Sequence, residues 1–99
     1  MTPTIFLISG DKGTGKTTLI RDLRQLYGGF SYEYHSGKSP EQNRQLIWEH
    51  HQFPINCFID MTDAKTTDAF GVFFRLMSET AKKHQYAFRL IRCLAYREV

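Results

Sequence analysis

Cysteine is scarce in this 99-residue chain. Its two cysteines, Cys57 and Cys93, lie in separate apolar runs and form no CxxC pair, which argues against a zinc site and for reduced, buried thiols. Long hydrophobic runs are missing too. The longest, Ile5–Ile8 and Ile55–Ile59 (interrupted by Asn56), are far too short to span a bilayer. Met1–Thr4 carries no basic region and the apolar stretch behind it is short, so no signal peptide is expected. Repeats, low-complexity tracts and linkers are absent, and the length suits one domain, residues 1–99, with a thin core. Neither sign of charge dominates. The net charge of +3 permits contact with nucleic acid without indicating it. Apolar residues at 41% and charged residues at 23% exclude disorder and membrane embedding. The expectation is a cytoplasmic domain with no membrane partner.

What is present is periodicity. Thr4–Ile8 is a short β-branched and aromatic run closed by Ser9-Gly10, the pattern of a strand buried on both faces. Leu19, Ile20, Leu23, Leu26 and Tyr27 then fall on one face of a helix that begins at Lys16 and stops at Gly28-Gly29. Phe30–His35 alternates, with Phe30, Tyr32 and Tyr34 on one side, as in a half-exposed strand. Ser36-Gly37-Lys38 turns the chain. Ser39 as N-cap, Pro40 in the first turn and Gln42 closing a capping box predict a helix to about His51, anchored by Leu46 and Ile47 and ended by Pro54.

Ile55–Ile59 reads as a second buried strand ending in Asp60. A third helix is expected from Thr66 or Thr67, with Phe70, Phe73, Phe74, Met77 and Ala81 facing the sheet and Lys82-Lys83-His84 at its C-terminus. Ala87–Tyr96 reads as the last strand. The order βαβαβαβ predicts an α/β fold: three layers, α/β/α, around a four-stranded, mostly parallel sheet. Arg89 and Arg92 are three apart and point to opposite faces, which suits an edge strand. The alternating second strand suits the other edge, and the two continuous apolar strands suit the middle. The expected strand order is 2-3-1-4.

Gly10-Asp11-Lys12-Gly13-Thr14-Gly15-Lys16-Thr17 fits G-x-x-x-x-G-K-[ST] at every position, between a predicted strand and a predicted helix. Glycines let such a loop wrap a phosphate with its N–H groups pointing inward, and the helix N-terminus adds partial positive charge. Here the chain resembles the P-loop NTPase superfamily through its Walker A motif, and the 2-3-1-4 order is the one associated with that superfamily's kinase–GTPase branch.

The resemblance implies a phosphate cradle of Gly10, Asp11, Lys12, Gly13, Thr14, Gly15, Lys16, Thr17 and Thr18. Lys16, expected as a partly exposed point charge, would reach the β- and γ-phosphates, and the Thr17 hydroxyl would ligate Mg²⁺. Ile55–Asp60 resembles a Walker B strand, whose carboxylate, Asp60, would help hold the metal. Asp63 competes for that role but reads better as a turn or helix-capping residue.

Departures from the motifs narrow the activity. Met61 follows Asp60, so the Asp-Glu pair of many ATP-hydrolysing motors is missing, and with it a water-activating glutamate. Asp60-Met61-Thr62-Asp63 is not D-x-x-G, and there is no N-K-x-D, so ATP is the default nucleotide. Arg97, near the end of the last predicted strand, is the candidate catalytic cation beside Lys16. His50-His51 reads as solvated polar residues, and Trp48 and the tyrosines read as core or rim. The leading expectation is Mg²⁺-dependent ATP binding with slow hydrolysis or phosphoryl transfer, completed by a protein partner or self-association. The alternatives are a non-catalytic nucleotide- or anion-binding module and a reduced relative of a nucleic-acid motor.

Overall fold

The computed structural model describes residues 2–50, 55–61 and 67–96. Strand β1 (Thr4–Ser9) leads through a glycine loop into helix α1 (Lys16–Tyr27). Strand β2 (Phe30–Glu33), helix α2 (Pro40–His50), strand β3 (Cys57–Met61), helix α3 (Thr67–Lys83) and strand β4 (Ala87–Arg92) follow. All strand pairs are parallel and the order is β2-β3-β1-β4, as the placement of charge and alternation predicts. Arg89 and Arg92 are both exposed on edge strand β4.

Side-chain alternation along the strands divides the core in two. Ile5, Leu7, Cys57, Ile59 and Met61 point to one face, where Phe73, Met77 and Ala81 of α3 and Ile47 of α2 cover them. Phe6, Ile8 and Phe58 point to the other, where Leu19, Ile20 and Leu23 of α1 cover them and the Phe6 and Phe58 rings stack at 4.8 Å. This gives the expected three layers. Among the described residues no helix is long and apolar enough to cross a membrane.

Several boundaries differ from the sequence reading, each for a local reason. Leu26 and Tyr27, expected on the buried face of α1, are 71% and 53% exposed. The last turn of α1 overshoots the apolar face and is held by polar bonds: the Asn56 amide donates to the carbonyls of Tyr27 and Gly28. The same Asn56 accepts from the Thr4 N–H, so β3 starts after it, at Cys57 rather than Ile55, and runs one residue past the expected end at Asp60 to the buried Met61. β2 stops at Glu33 because Asn43 captures His35. Asn43 Oδ1 accepts the His35 N–H at 2.8 Å and its amide donates back to the His35 carbonyl at 3.1 Å.

β4 ends at Arg92, short of the expected Tyr96. Its neighbour β1 turns away at Gly10, and the chain beyond Arg92 folds over the glycine loop instead. The capping box of α2 forms as expected: Ser39 Oγ accepts the Gln42 N–H and Gln42 Oε1 accepts the Ser39 N–H. His51, Pro54, Asp63, Thr66 and Arg97 lie outside the described residues.

Asn43 is fully buried and also accepts from the Tyr32 hydroxyl at 3.0 Å. Asn43→Ala leaves that hydroxyl and the His35 N–H without their acceptor. The expected loss is about 1–3 kcal/mol, from the cost of leaving two part-buried donors unsatisfied, read as a lowered urea midpoint at unchanged m-value.

Candidate functional site

The loop between β1 and α1 turns the chain from a buried strand into a helix, and its glycines carry the turn. Gly13 and Gly15 sit at φ +86° and +87°, in the left-handed region that side chains resist. Gly15 is the N-cap of α1, so no side chain caps that end, and no acidic residue lies in the first turn. The first amides of the helix have no intrahelical acceptor. The terminus is left as a positively polarised, donor-rich end.

Lys16 departs from its expected exposure. It is 4% exposed, with its Nζ 3.5 Å from Asp60 Oδ1. Lys16 is the first residue of α1, and its stem runs back under the loop; its Cδ lies 3.2 Å from where a Cβ on Gly10 would stand. The ammonium therefore ends over the sheet rather than in solvent. Burial of a lone cation is costly, and the carboxylate from β3 compensates it.

Asp60 lies on the α1 face of the sheet, in register with Ile8 on one side and Glu33 on the other. Lys16 and Asp60 open into a groove of about 900 Å³ between α1 and β2. Of the loop positions expected to cradle phosphate, Lys12, Gly13, Gly15, Lys16 and Thr17 line this groove, whereas Gly10, Asp11, Thr14 and Thr18 do not. Thr17 is exposed and shares the groove with Asp60.

The sequence reading missed how the loop is held. The Thr14 hydroxyl donates to the Asp11 carbonyl at 2.7 Å. The Thr14 carbonyl accepts the Tyr96 N–H at 2.7 Å and the Cys93 thiol at 3.3 Å. The Tyr96 hydroxyl donates to Asp22 Oδ2 on α1 at 2.7 Å. Residues 93–96 thus form a strap across the loop, tied to both the loop and the helix. A Cβ on Gly10 would stand 2.5 Å from the Cys93 carbonyl oxygen, and one on Gly15 would stand 2.3 Å from that of Tyr96. These two glycines are required by the strap as well as by the turn. No signal in the sequence marks Cys93 and Tyr96, since both read as strand residues.

The groove's far wall was missed as well. Arg21, Arg24, Ser31 and Glu33 line it. It was legible in principle: Thr17, Arg21 and Arg24 follow helical spacing, and Ser31 and Glu33 are the alternates of Phe30 and Tyr32.

No protein-family model, curated protein or solved structure matches the chain. A donor-rich helix terminus, a buried ammonium, a carboxylate and a hydroxyl meet at one groove. The Cys57 thiol lies in the core of the opposite face, away from the groove. Burial pushes the Cys57 thiol well up, away from the reactive thiolate form.

The strap yields a paired test. Gly13→Ala meets nothing within 4 Å and carries only the left-handed strain, whereas Gly15→Ala also drives into the Tyr96 backbone. Gly15→Ala is expected to be the more destabilising by about 1–3 kcal/mol, the usual cost of overpacking. It alone should raise the rate at which Cys93, only 5% exposed, reacts with an aromatic disulfide reagent.

Proposed function

We propose that the chain is a P-loop-type domain that binds a nucleoside triphosphate, ATP by default, together with Mg²⁺. The observation that carries this reading is the Lys16 ammonium held 3.5 Å from Asp60 beneath a glycine loop at a helix N-terminus. Anions bind at such termini because the amides and the helix dipole act together. The G-x-x-x-x-G-K-T pattern and the strand order β2-β3-β1-β4 point the same way.

The residues fit the magnesium salt of a triphosphate. Mg²⁺ keeps several waters and takes a few protein oxygens plus phosphate oxygens, so the Thr17 hydroxyl and the Asp60 carboxylate suffice. When bound, the metal neutralises charge on the β- and γ-phosphates. Lys16 leaves Asp60 for the phosphates, which moves a charge already stripped of water onto a stronger partner. The loop amides of Gly13 and Gly15 and the first turn of α1 orient the phosphate chain.

A non-catalytic module is the second reading, and one observation favours it. The position after Asp60 is Met61, which is 2% exposed and packed into the core on the α2/α3 side of the sheet, away from the groove. A water-activating group is not supplied from there.

Two substitutions test the site. Lys16→Met keeps the apolar stem and removes the charge. It is expected to lower Mg·ATP affinity by about 10–100-fold, the worth of a charged hydrogen bond, in equilibrium binding with a fluorescent ATP analogue; unchanged affinity would falsify the reading. Asp60→Asn keeps the shape and removes the anion. It should abolish most of the gain in ATP affinity on adding Mg²⁺ while affecting binding in EDTA far less. Equal Mg²⁺ dependence in the parent and the variant removes Asp60 from the metal site.

A further inference from the structure

The groove is longer than a phosphate cradle requires. Its α1 wall runs from Thr17 past Arg21 to Arg24, seven residues on, about 10 Å at 1.5 Å per residue. Its other wall is the α1-facing side of edge strand β2, Ser31 and Glu33. Arg24 Nη1 donates to Ser31 Oγ at 3.2 Å, which joins the two walls and holds the guanidinium at the groove's far end. That bond uses one of the five N–H donors of a guanidinium.

We propose that this far end is a second ligand site, which takes a small phosphorylated or carboxylated alcohol bound beside the nucleotide. The proposal rests on the nucleotide reading for the loop end of the groove. Arg24 and Ser31 grip the anionic group; Arg21, one turn closer to the loop, is paired with Asp22 at 3.5 Å, so the grip falls to Arg24. Guanidinium binds planar or tetrahedral oxyanions through paired N–H donors, which suits this class of ligand. Glu33 and Asp60, neighbours across β2 and β3, lie between the anion end and the loop. The Glu33 carboxylate accepts a hydrogen bond from the ligand's hydroxyl and turns it toward the loop.

The lining chemistry disfavours a nucleobase or a nucleic acid strand. Base recognition on single strands uses aromatic platforms. Among the described residues Tyr32 is the one aromatic that lines the groove, and its ring packs on the opposite face of the sheet, where its hydroxyl bonds Asn43. A volume of about 900 Å³ lies within the usual size of small-molecule sites.

The second ligand is then the phosphoryl acceptor. Its hydroxyl oxygen bonds to the γ-phosphorus. The bond from that phosphorus to the β–γ bridging oxygen breaks, its electron pair leaves on the diphosphate, and the hydroxyl proton passes to water. The loop end holds the donor, the arginine end holds the acceptor, and the groove aligns the two.

Inorganic phosphate is the probe, titrated into the full chain saturated with Mg²⁺ and a non-hydrolysable ATP analogue. Backbone amide and arginine side-chain resonances provide the readout. The expected result is saturable shifts at Arg24, Ser31 and Glu33. Arg24→Gln should weaken phosphate binding about tenfold, from loss of charged hydrogen bonds, and Ser31→Ala less. Arg75→Gln, an exposed arginine on α3, serves as the charge-matched control and leaves the titration unchanged. Two results overturn the proposal. One is phosphate that perturbs the loop alone or binds Arg24→Gln as tightly as the parent. The other is a single-stranded oligonucleotide that displaces phosphate from the groove with a steep salt dependence. Failure of the ATP analogue to bind the parent is a separate outcome: it rejects the nucleotide reading, and phosphate shifts at Arg24 and Ser31 in the ligand-free protein still decide the second site.

Discussion

An ammonium held at 4% exposure beneath a glycine loop is tolerable only if a counter-charge waits for it. Asp60 supplies that counter-charge, and its position depends on most of the fold. It must come from the strand next to β1, on the face that α1 covers, near the ends of the strands where the loop begins. β3 meets all three conditions through its register, with Asp60 opposite Ile8. A slip of one residue would turn Asp60 into the core of the other face and bring Met61 under the loop. The apolar neighbours Phe58, Ile59 and Met61, all buried, hold that register by facing alternately into the two cores.

The two cores have different tasks. The larger one, under α2 and α3, carries the bulk of the buried aromatic and sulfur-containing side chains and is closed by the Asn43 network. The smaller one, under α1, is confined to a few residues, because the same helix must also offer a polar face. Leu19, Ile20 and Leu23 pack on the sheet while Thr17, Arg21 and Arg24 line the groove. One helix thus anchors the loop, forms one wall of the groove and receives the strap through Asp22. Residues 93–96 are tied both to the end of β1, where the Cys93 N–H donates to the Ser9 carbonyl, and to the loop through the bonds at Thr14.

Much of this was legible in the chain itself. The G-x-x-x-x-G-K-T spacing located the loop, and the capping residues Ser39 and Gln42 located the start of α2. The exposed pair Arg89 and Arg92, with the alternation of β2, was enough to order the sheet, because charge is excluded from a strand covered on both faces. Strand ends were less legible. Asn43 and Asn56 each gather backbone groups from segments distant in sequence, and periodicity carries no trace of a side chain that competes with the ladder.

The sequence by itself determined the element order, the strand order and the place of the glycine loop between β1 and α1, since these follow from local propensity, from periodicity and from which strands tolerate charge. Only the tertiary structure decided that Lys16 is buried against Asp60, that Cys93 and Tyr96 close over Gly10 and Gly15, and that Arg24 of α1 bonds Ser31 of β2. Each of these joins residues brought together by the parallel sheet and its crossovers. Such contacts depend on register and on the seating of a helix against a strand, and neither leaves a pattern along the chain.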